Sequence, residues 1–159
     1  MNDNSNDAHL ELPRYQLEQF KRLISHLFKC CQERMRYQTE RFDLPDAELR
    51  CLLLFMDERY LTAKSIALKM SVVKSRVTKI VNGLMAKNLL QRIKDPEDSR
   101  ISLLSLAPAG QQKIDEINLF LDDVHHEVLV QMTPEQRAAM LANMELLNGS
   151  MEAAKALMV

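Results

Sequence analysis

Five prolines divide this 159-residue chain into segments with their own periodicity. They are Pro13, Pro45, Pro96, Pro108 and Pro134, and proline is tolerated where regular elements begin or end. Within most segments, apolar residues recur every three or four positions, which is typical of a helix with one buried face. The chain has only three glycines, which also favours helix. We therefore expect a mainly α-helical single domain at residues 13–159, after a disordered tail at 1–12.

The segments predict four helices, a small β-hairpin and two further helices. The first helix covers about 14–40, the second follows Pro45, and the fifth and sixth begin at Pro108 and Pro134. The third and fourth helices cover about 62–70, capped by Thr62, and 73–87. The hairpin strands are LLQRIK (89–94) and ISLLSL (101–106), joined by the turn-forming DPEDSR. Asn88 stands where the chain must leave the fourth helix through a left-handed residue.

Positive charge is concentrated in one stretch of the chain. Residues 61–100 carry nine Lys and Arg against three Asp and Glu, a net charge of +6, although the whole chain has a net charge of −1. The flanking stretches are acidic, with nine against eleven in residues 1–60 and three against eight in 101–159. A local basic surface is expected for binding nucleic acid, although a solvated basic face gives the same charge pattern.

The basic stretch contains a short helix, a break and a longer amphipathic helix, as in a helix-turn-helix. The apolar row of the longer helix consists of Val77, Ile80, Val81 and Leu84. The side chains left to point outward are the candidate DNA-binding residues Lys74, Ser75, Arg76, Thr78, Lys79 and Asn82. Because a guanidinium can form two hydrogen bonds to guanine, we expect Arg76 to read a base. Lys64, Lys74 and Lys79 are suited to neutralising phosphates.

The predicted hairpin has an arginine at its tip. Arg100 can enter an adjacent minor groove, whose negative potential attracts arginine, and Asp98 is close enough in sequence to support it by an ion pair. The helix pair, the basic hairpin tip and the basic stretch together predict a winged helix-turn-helix over about 44–106. The alternative is a helical protein whose fourth helix is merely amphipathic.

The run from about Leu44 to Gly110 resembles the MarR family of winged helix-turn-helix transcription regulators. The matching pieces are IALKMSVVKSRVTKIVNGLMAKNLLQR, the wing DPEDSR and the exit LSLAPAG. Five positions depart from the family pattern or from good helix formation, among them Ser99 in the wing, where a basic residue is common, and Ala107, where a capping threonine precedes Pro108. Ser71 stands where the turn often has glycine, and Val73 stands where a capping serine is common. Gly83 interrupts the longer helix at a cost of about 1 kcal/mol relative to alanine.

The resemblance implies a sequence-specific transcription regulator, usually a repressor, that binds a pseudo-palindromic double-stranded DNA operator as a homodimer. Helices at about 14–40 and 108–157 would form the dimer interface. Release from DNA would follow binding of a small, often aromatic, effector or oxidation of a thiol. The long apolar stripes of the first and last helices favour pairing independently, although packing within one chain is an alternative. The alternative function is a winged-helix protein-interaction module without sequence-specific DNA binding.

The candidate sensing residues are His26, Cys30, Cys31 and Cys51. Buried thiols are the simplest interpretation of the three cysteines, whose spacing fits neither a disulfide framework nor a zinc module. His26, Cys30 and Glu33 share one helix face, which suits either a thiol activated by histidine or a metal site. Buried packing is the simpler interpretation, so we expect no metal and no other cofactor.

The remaining sequence features argue against an enzyme and against a membrane protein. The chain has no Gly-rich phosphate loop, nucleophile elbow or zincin motif, so we expect no catalytic site. The start of the sequence is polar and acidic, unlike a secretory signal, and no run of about 18 apolar residues is present. We therefore expect a cytoplasmic protein without a membrane partner.

Overall fold

The structure is a computed structural model that describes residues 12–94 and 102–156. In these ranges the elements follow the predicted order of four helices, two strands and two helices. The helices are α1 (Arg14–Phe42), α2 (Asp46–Leu53), α3 (Ala63–Met70), α4 (Lys74–Ala86), α5 (Pro108–Leu129) and α6 (Pro134–Lys155). The antiparallel strands are β1 (Leu90–Lys94) and β2 (Ser102–Leu106), and a short 3-10 turn, Leu54–Met56, follows α2. The mainly α fold with a small hairpin is confirmed.

The chain divides into two compact units, one ending at Gly110 and the other beginning at Gln111. The first unit contains α1 to α4, both strands and the first residues of α5. The second contains the rest of α5 and all of α6. In the turn between these last two helices, Arg137 Nη1 donates hydrogen bonds to the carbonyl oxygens of Leu129 and Met132 at 3.2 and 2.8 Å.

Side-chain caps and left-handed residues set several helix ends. Thr62 begins α3 with a capping box, because its hydroxyl accepts from the N–H of Ser65 and Ser65 Oγ accepts from the N–H of Thr62. Thr133 begins α6 in the same way with Gln136. Asn88, as predicted, has a left-handed φ of 56° after α4. Two residues without a sequence prediction share this conformation, Asp43 at 50° and Ser71 at 54°.

The core of the first unit is made by α2, α3, α4 and the segments around the hairpin. Its apolar side chains with at most 2% exposure are Leu49, Cys51, Leu52, Leu61, Ile66, Val77, Val81, Leu84 and Leu104. Burying a large aliphatic side chain contributes about 1.5–3 kcal/mol, so this cluster holds the helices in place. One contact was not predicted: Leu61 forms an isolated antiparallel bridge with Leu104, with N···O distances of 3.0 and 2.8 Å. This bridge joins the segment before α3 to the second strand of the hairpin.

Two helices outside the helix-turn-helix, α1 and α6, expose several large apolar side chains. In α1, the buried residues are Gln38 and Phe42, both near its end. In α6, no described residue is buried. None of the helices within residues 12–94 and 102–156 has an apolar stretch of the length that a membrane span requires.

Candidate nucleic-acid interface

The longer helix of the pair, α4, turns a polar face away from the core. Val77 and Leu84 are fully buried, and Val81 and Ile80 are 2% and 6% exposed. The opposite side of the helix carries the exposed side chains of Lys74, Ser75, Arg76, Thr78, Lys79 and Asn82. Thirteen residues give α4 a length of about 20 Å, and the major groove of duplex DNA is wide enough to admit such a helix.

The exposed side chains of α4 do not all face the same neighbours. Arg76 and Lys79 line an open groove of about 670 Å³ together with Pro45 and Ala47 from the start of α2. These two cations therefore stand on the flank of α4 that faces α2. Thr78 is partly engaged within the helix, because its hydroxyl donates to the carbonyl oxygen of Lys74 at 3.2 Å. The Thr78 oxygen remains exposed as an acceptor.

A glycine allows α2 to approach α4 closely. A Cβ on Gly83 would overlap Oε1 of Glu48 and lie 3.0 Å from its Cδ. The carboxylate of Glu48 is held by Lys87, whose Nζ lies 2.8 Å from Oε2 and 3.5 Å from the carbonyl oxygen of Asp43. The Glu48 side chain is only 15% exposed. Gly83 thus leaves room for the Glu48 carboxylate against α4, and this contact offsets part of the cost of its low helix propensity.

The turn between α3 and α4 contains two of the departures from the family pattern. Ser71 adopts φ 54° and ψ 45°, a left-handed conformation in which a residue with a Cβ is disfavoured. Val73 occupies the N-cap position of α4 and forms no side-chain capping bond. A backbone hydrogen bond nevertheless closes the turn: the N–H of Val72 donates to the carbonyl oxygen of Ala67 at 3.0 Å.

Other predicted DNA contacts lie outside α4. Lys64 is exposed in the first turn of α3. Asp98 and Arg100 belong to the segment 95–101, which is outside the described residues, so the roles assigned to them stay predictions. Two further cations are exposed on β1, Arg92 and Lys94, and neither was among the predicted DNA contacts. Their spacing of two residues in a strand puts them on one face, and that alternation was the signal that could have identified them.

The interpretation of the cysteines as buried thiols is correct for one residue and wrong for two. Cys51 is fully buried, and burial, followed by the nearby charge of Glu48, raises the pKa of its thiol to about 12. Cys30 and Cys31 are exposed on α1 in the single chain. His26 is also exposed. In the described part of the chain, no three His, Cys, Asp or Glu side chains form a group that could hold a metal ion.

Known proteins share both the sequence pattern and the fold. Residues 42–101 match the model of the MarR family. The HTH-type transcriptional regulator YdgJ of Bacillus subtilis (strain 168) is 25% identical over 131 residues, which are 80% of this chain and 71% of that protein. A MarR family protein from Bacillus stearothermophilus has a TM-score of 0.81 at 17% identity, over 89% of this chain and 99% of that one.

A second solved structure contains nucleic acid. Streptococcus pneumoniae FabT in complex with DNA has a TM-score of 0.72 at 17% identity, over 85% of this chain and 99% of that chain. At this identity the likeness is one of fold. Residues 42–101 are thus similar in sequence to the MarR family, and the helices and hairpin of this chain share the winged helix-turn-helix fold of these structures.

Proposed function

We propose that this protein is a sequence-specific regulator of transcription that binds double-stranded DNA with α4 in the major groove. The observation that carries the proposal is the exposed polar row of α4 opposite its fully buried apolar row. In this assignment Arg76 reads a base edge, and Ser75, Thr78 and Asn82 are available for further polar contacts. Lys64, Lys74 and Lys79 bind phosphates, and Arg100, supported by Asp98, enters the neighbouring minor groove.

The protein binds DNA as a homodimer in this proposal. Large apolar side chains on α1 are between 39% and 63% exposed: Leu17, Phe20, Leu23, Leu27 and Phe28. On α6, Leu141, Met144, Leu146 and Met151 are between 48% and 70% exposed. Along α1 these residues fall mostly three or four positions apart and form one stripe, and monomeric soluble proteins rarely leave apolar side chains in such a stripe uncovered. Two-fold pairing covers them and presents two α4 helices to the half-sites of a pseudo-palindromic operator.

Bound at a promoter, the dimer represses by occlusion, and an effector releases it by changing the distance between the two α4 helices. The effector is a small aromatic ligand or an oxidant of Cys30 or Cys31, which lie on α1 and are exposed in the single chain. Cys51 is unsuited to sensing, because a thiol with a raised pKa is protonated and unreactive near neutral pH. An effector that weakens DNA binding without altering dimer geometry would contradict this release mechanism.

The first experiment is in vitro selection from randomised duplex DNA. We expect the wild type to enrich a pseudo-palindrome, and the double variant Arg76→Ala, Arg100→Ala to lose the enrichment. Lys155→Ala is the control, because it removes an exposed cation at the end of α6, outside the winged helix-turn-helix. If the wild type enriches no sequence at low salt, sequence-specific binding is wrong.

Salt dependence separates this function from a protein-interaction module. Binding through six or more phosphate contacts should weaken by about a thousandfold or more between 50 and 200 mM salt. An interaction module bound to a protein partner would show a much shallower dependence, because its interface core contains few charges.

A further inference from the structure

The residue that precedes α4 supports neither the core nor the end of the helix. Val73 is at the N-cap with φ −71° and ψ 153°, a backbone geometry in which serine could accept a hydrogen bond from the N–H of Arg76. Valine cannot form that bond. Its side chain is 69% exposed, so it contributes little to the core. An apolar side chain that is both exposed and unfavourable for the helix needs another explanation.

Val73 borders an open, mainly apolar cleft on the surface of the helix pair. The cleft has a volume of about 690 Å³, and Ala67, Leu68 and Val72 supply much of its apolar lining. Leu68 projects from the side of α3 opposite the buried Ile66 and is 81% exposed. The cleft is therefore an uncovered apolar surface at the point where α3 leads into α4.

Cations stand at the edge of this apolar surface. Lys64 also lines the cleft, and the exposed Lys74 follows Val73 directly in the chain. An occupant that fits must offer an apolar group with negative charges on either side. A protein partner fits poorly, because the cores of protein interfaces are depleted of lysine. A base pair in the major groove fits well, since thymine presents a 5-methyl group there and phosphates border the groove.

We propose that Val73, with Leu68 beside it, reads the 5-methyl group of a thymine in each half-site of the operator. The inference rests on the proposed function, because it requires α4 to lie in the major groove. The N-terminal residues of a recognition helix are the ones that contact base edges, and Val73 immediately precedes the first residue of α4. In this assignment the valine adds an apolar contact to the hydrogen bonds made by the polar residues of α4.

Replacing thymine by uracil tests the contact directly, because uracil lacks only the methyl group and keeps every hydrogen-bonding position. The probe is the duplex that the wild type enriches most strongly, synthesised with each thymine changed singly to uracil. We expect one position in each half-site at which the change weakens wild-type binding about fourfold, the value for one buried methyl-sized group. Uracil at other thymines is the internal control.

Three variants of residue 73 distinguish an effect on thymine recognition from an effect on the stability of the protein. Val73→Ala and Val73→Ser should both bind the thymine and uracil duplexes equally, whereas Val73→Ile should keep the discrimination. Alanine is as poor an N-cap as valine, so its melting temperature should stay unchanged. Serine supplies the missing cap and should raise the melting temperature by about 2–4 °C. A merely structural role for Val73 would make binding follow stability, which serine raises and alanine does not.

The outcomes distinguish the inference from the proposed function. If the wild type binds its selected duplex but no thymine shows an effect of uracil, the inference is wrong and the proposed function stands. The same holds if Val73→Ala keeps the discrimination, or if the selected half-site contains no thymine. If the wild type selects no duplex at all, both are overturned.

Discussion

The carboxylate of Glu48 lies against the backbone of Gly83, where a Cβ would overlap its Oε1 atom. This contact joins α2 to α4, and Lys87 completes it with a 2.8 Å ion pair to the other carboxylate oxygen. Since α4 carries the proposed DNA-reading side chains, its position depends on how closely α2 can support it. The low helix propensity of glycine is therefore offset by a contact between helices.

Gly83→Ala should stabilise the protein more when Glu48 is absent than when it is present. Alanine gains about 1 kcal/mol of helix propensity over glycine, but in the wild type its Cβ displaces the Glu48 carboxylate from Lys87. In a Glu48→Ala background nothing opposes the gain. Denaturant unfolding of the four proteins in this double-mutant cycle should give a coupling of at least about 0.5 kcal/mol. Equal effects in both backgrounds would show that the contact carries no energy.

Ser71→Gly should stabilise the turn between α3 and α4. Ser71 has φ 54°, and the left-handed conformation costs a residue with a Cβ about 1–2 kcal/mol. Glycine removes that cost but loses some entropy on folding, so we expect a net gain of about 0.5–1 kcal/mol in the free energy of unfolding. Ser150→Gly is the matched control: Ser150 lies inside α6, where the same change should destabilise by a few tenths of a kcal/mol.

Gly110→Ala and Gly149→Ala should have opposite effects, although both positions are helical. A Cβ on Gly110 would overlap the carbonyl oxygen of Leu89 and lie 2.9 Å from its carbon, and this backbone cannot move aside easily. We expect a loss of about 1–3 kcal/mol in the free energy of unfolding. At Gly149 no atom of the residues that the structure describes lies within 4 Å of the added Cβ, so alanine should gain about 0.5–1 kcal/mol. Thermal unfolding measures the stability of both variants. A Gly110→Ala variant more stable than the wild type would contradict the close contact between Gly110 and the Leu89 carbonyl.

Much of the winged helix-turn-helix could be predicted from the sequence because its signals are local. The spacing of Val77, Ile80, Val81 and Leu84 identified the buried row of α4, and Thr62 and Thr133 were recognisable caps. Other features depend on residues that meet only in three dimensions. The Leu61–Leu104 bridge is made by backbone atoms, which leave no side-chain signature. Helical periodicity shows which side chains share one face, but not whether that face packs against the same chain. For this reason the prediction that Cys30 and Cys31 are buried is wrong for the single chain.

Cys51 should react with alkylating reagents only after unfolding, and it should make stability depend on pH in the alkaline range. In the folded protein burial raises the pKa of its thiol from 9.0 to about 12. Below pH 9 the thiol is protonated in both states and the full stability is present. Between pH 9 and about 12 the unfolded state loses the proton more readily, so the free energy of unfolding falls. Cys51→Ala should lack this component of the pH dependence.

A variant with Cys51 as its single thiol, made by Cys30→Ser and Cys31→Ser, isolates the reaction. Mass spectrometry should find no iodoacetamide adduct on it at pH 8 in the native state and complete modification in urea. Rapid native modification would mean that the thiol is less buried than the structure describes.

Charge placed on the apolar face of α1 should dissociate the proposed homodimer. Leu27 is 56% exposed in the single chain, and we expect the Leu27→Glu variant to be a monomer because pairing through this face would bury an uncompensated carboxylate on each protomer. Lys29→Glu is the matched control: Lys29 is also exposed, with a side-chain exposure of 71%, and it projects from a different side of the helix. Light scattering after gel filtration measures the mass of each variant. A dimeric Leu27→Glu protein, or a monomeric wild type, would exclude this face of α1 from the interface.

DNA binding by the monomeric variant should weaken strongly, since one winged helix-turn-helix then holds one half-site without help from a second.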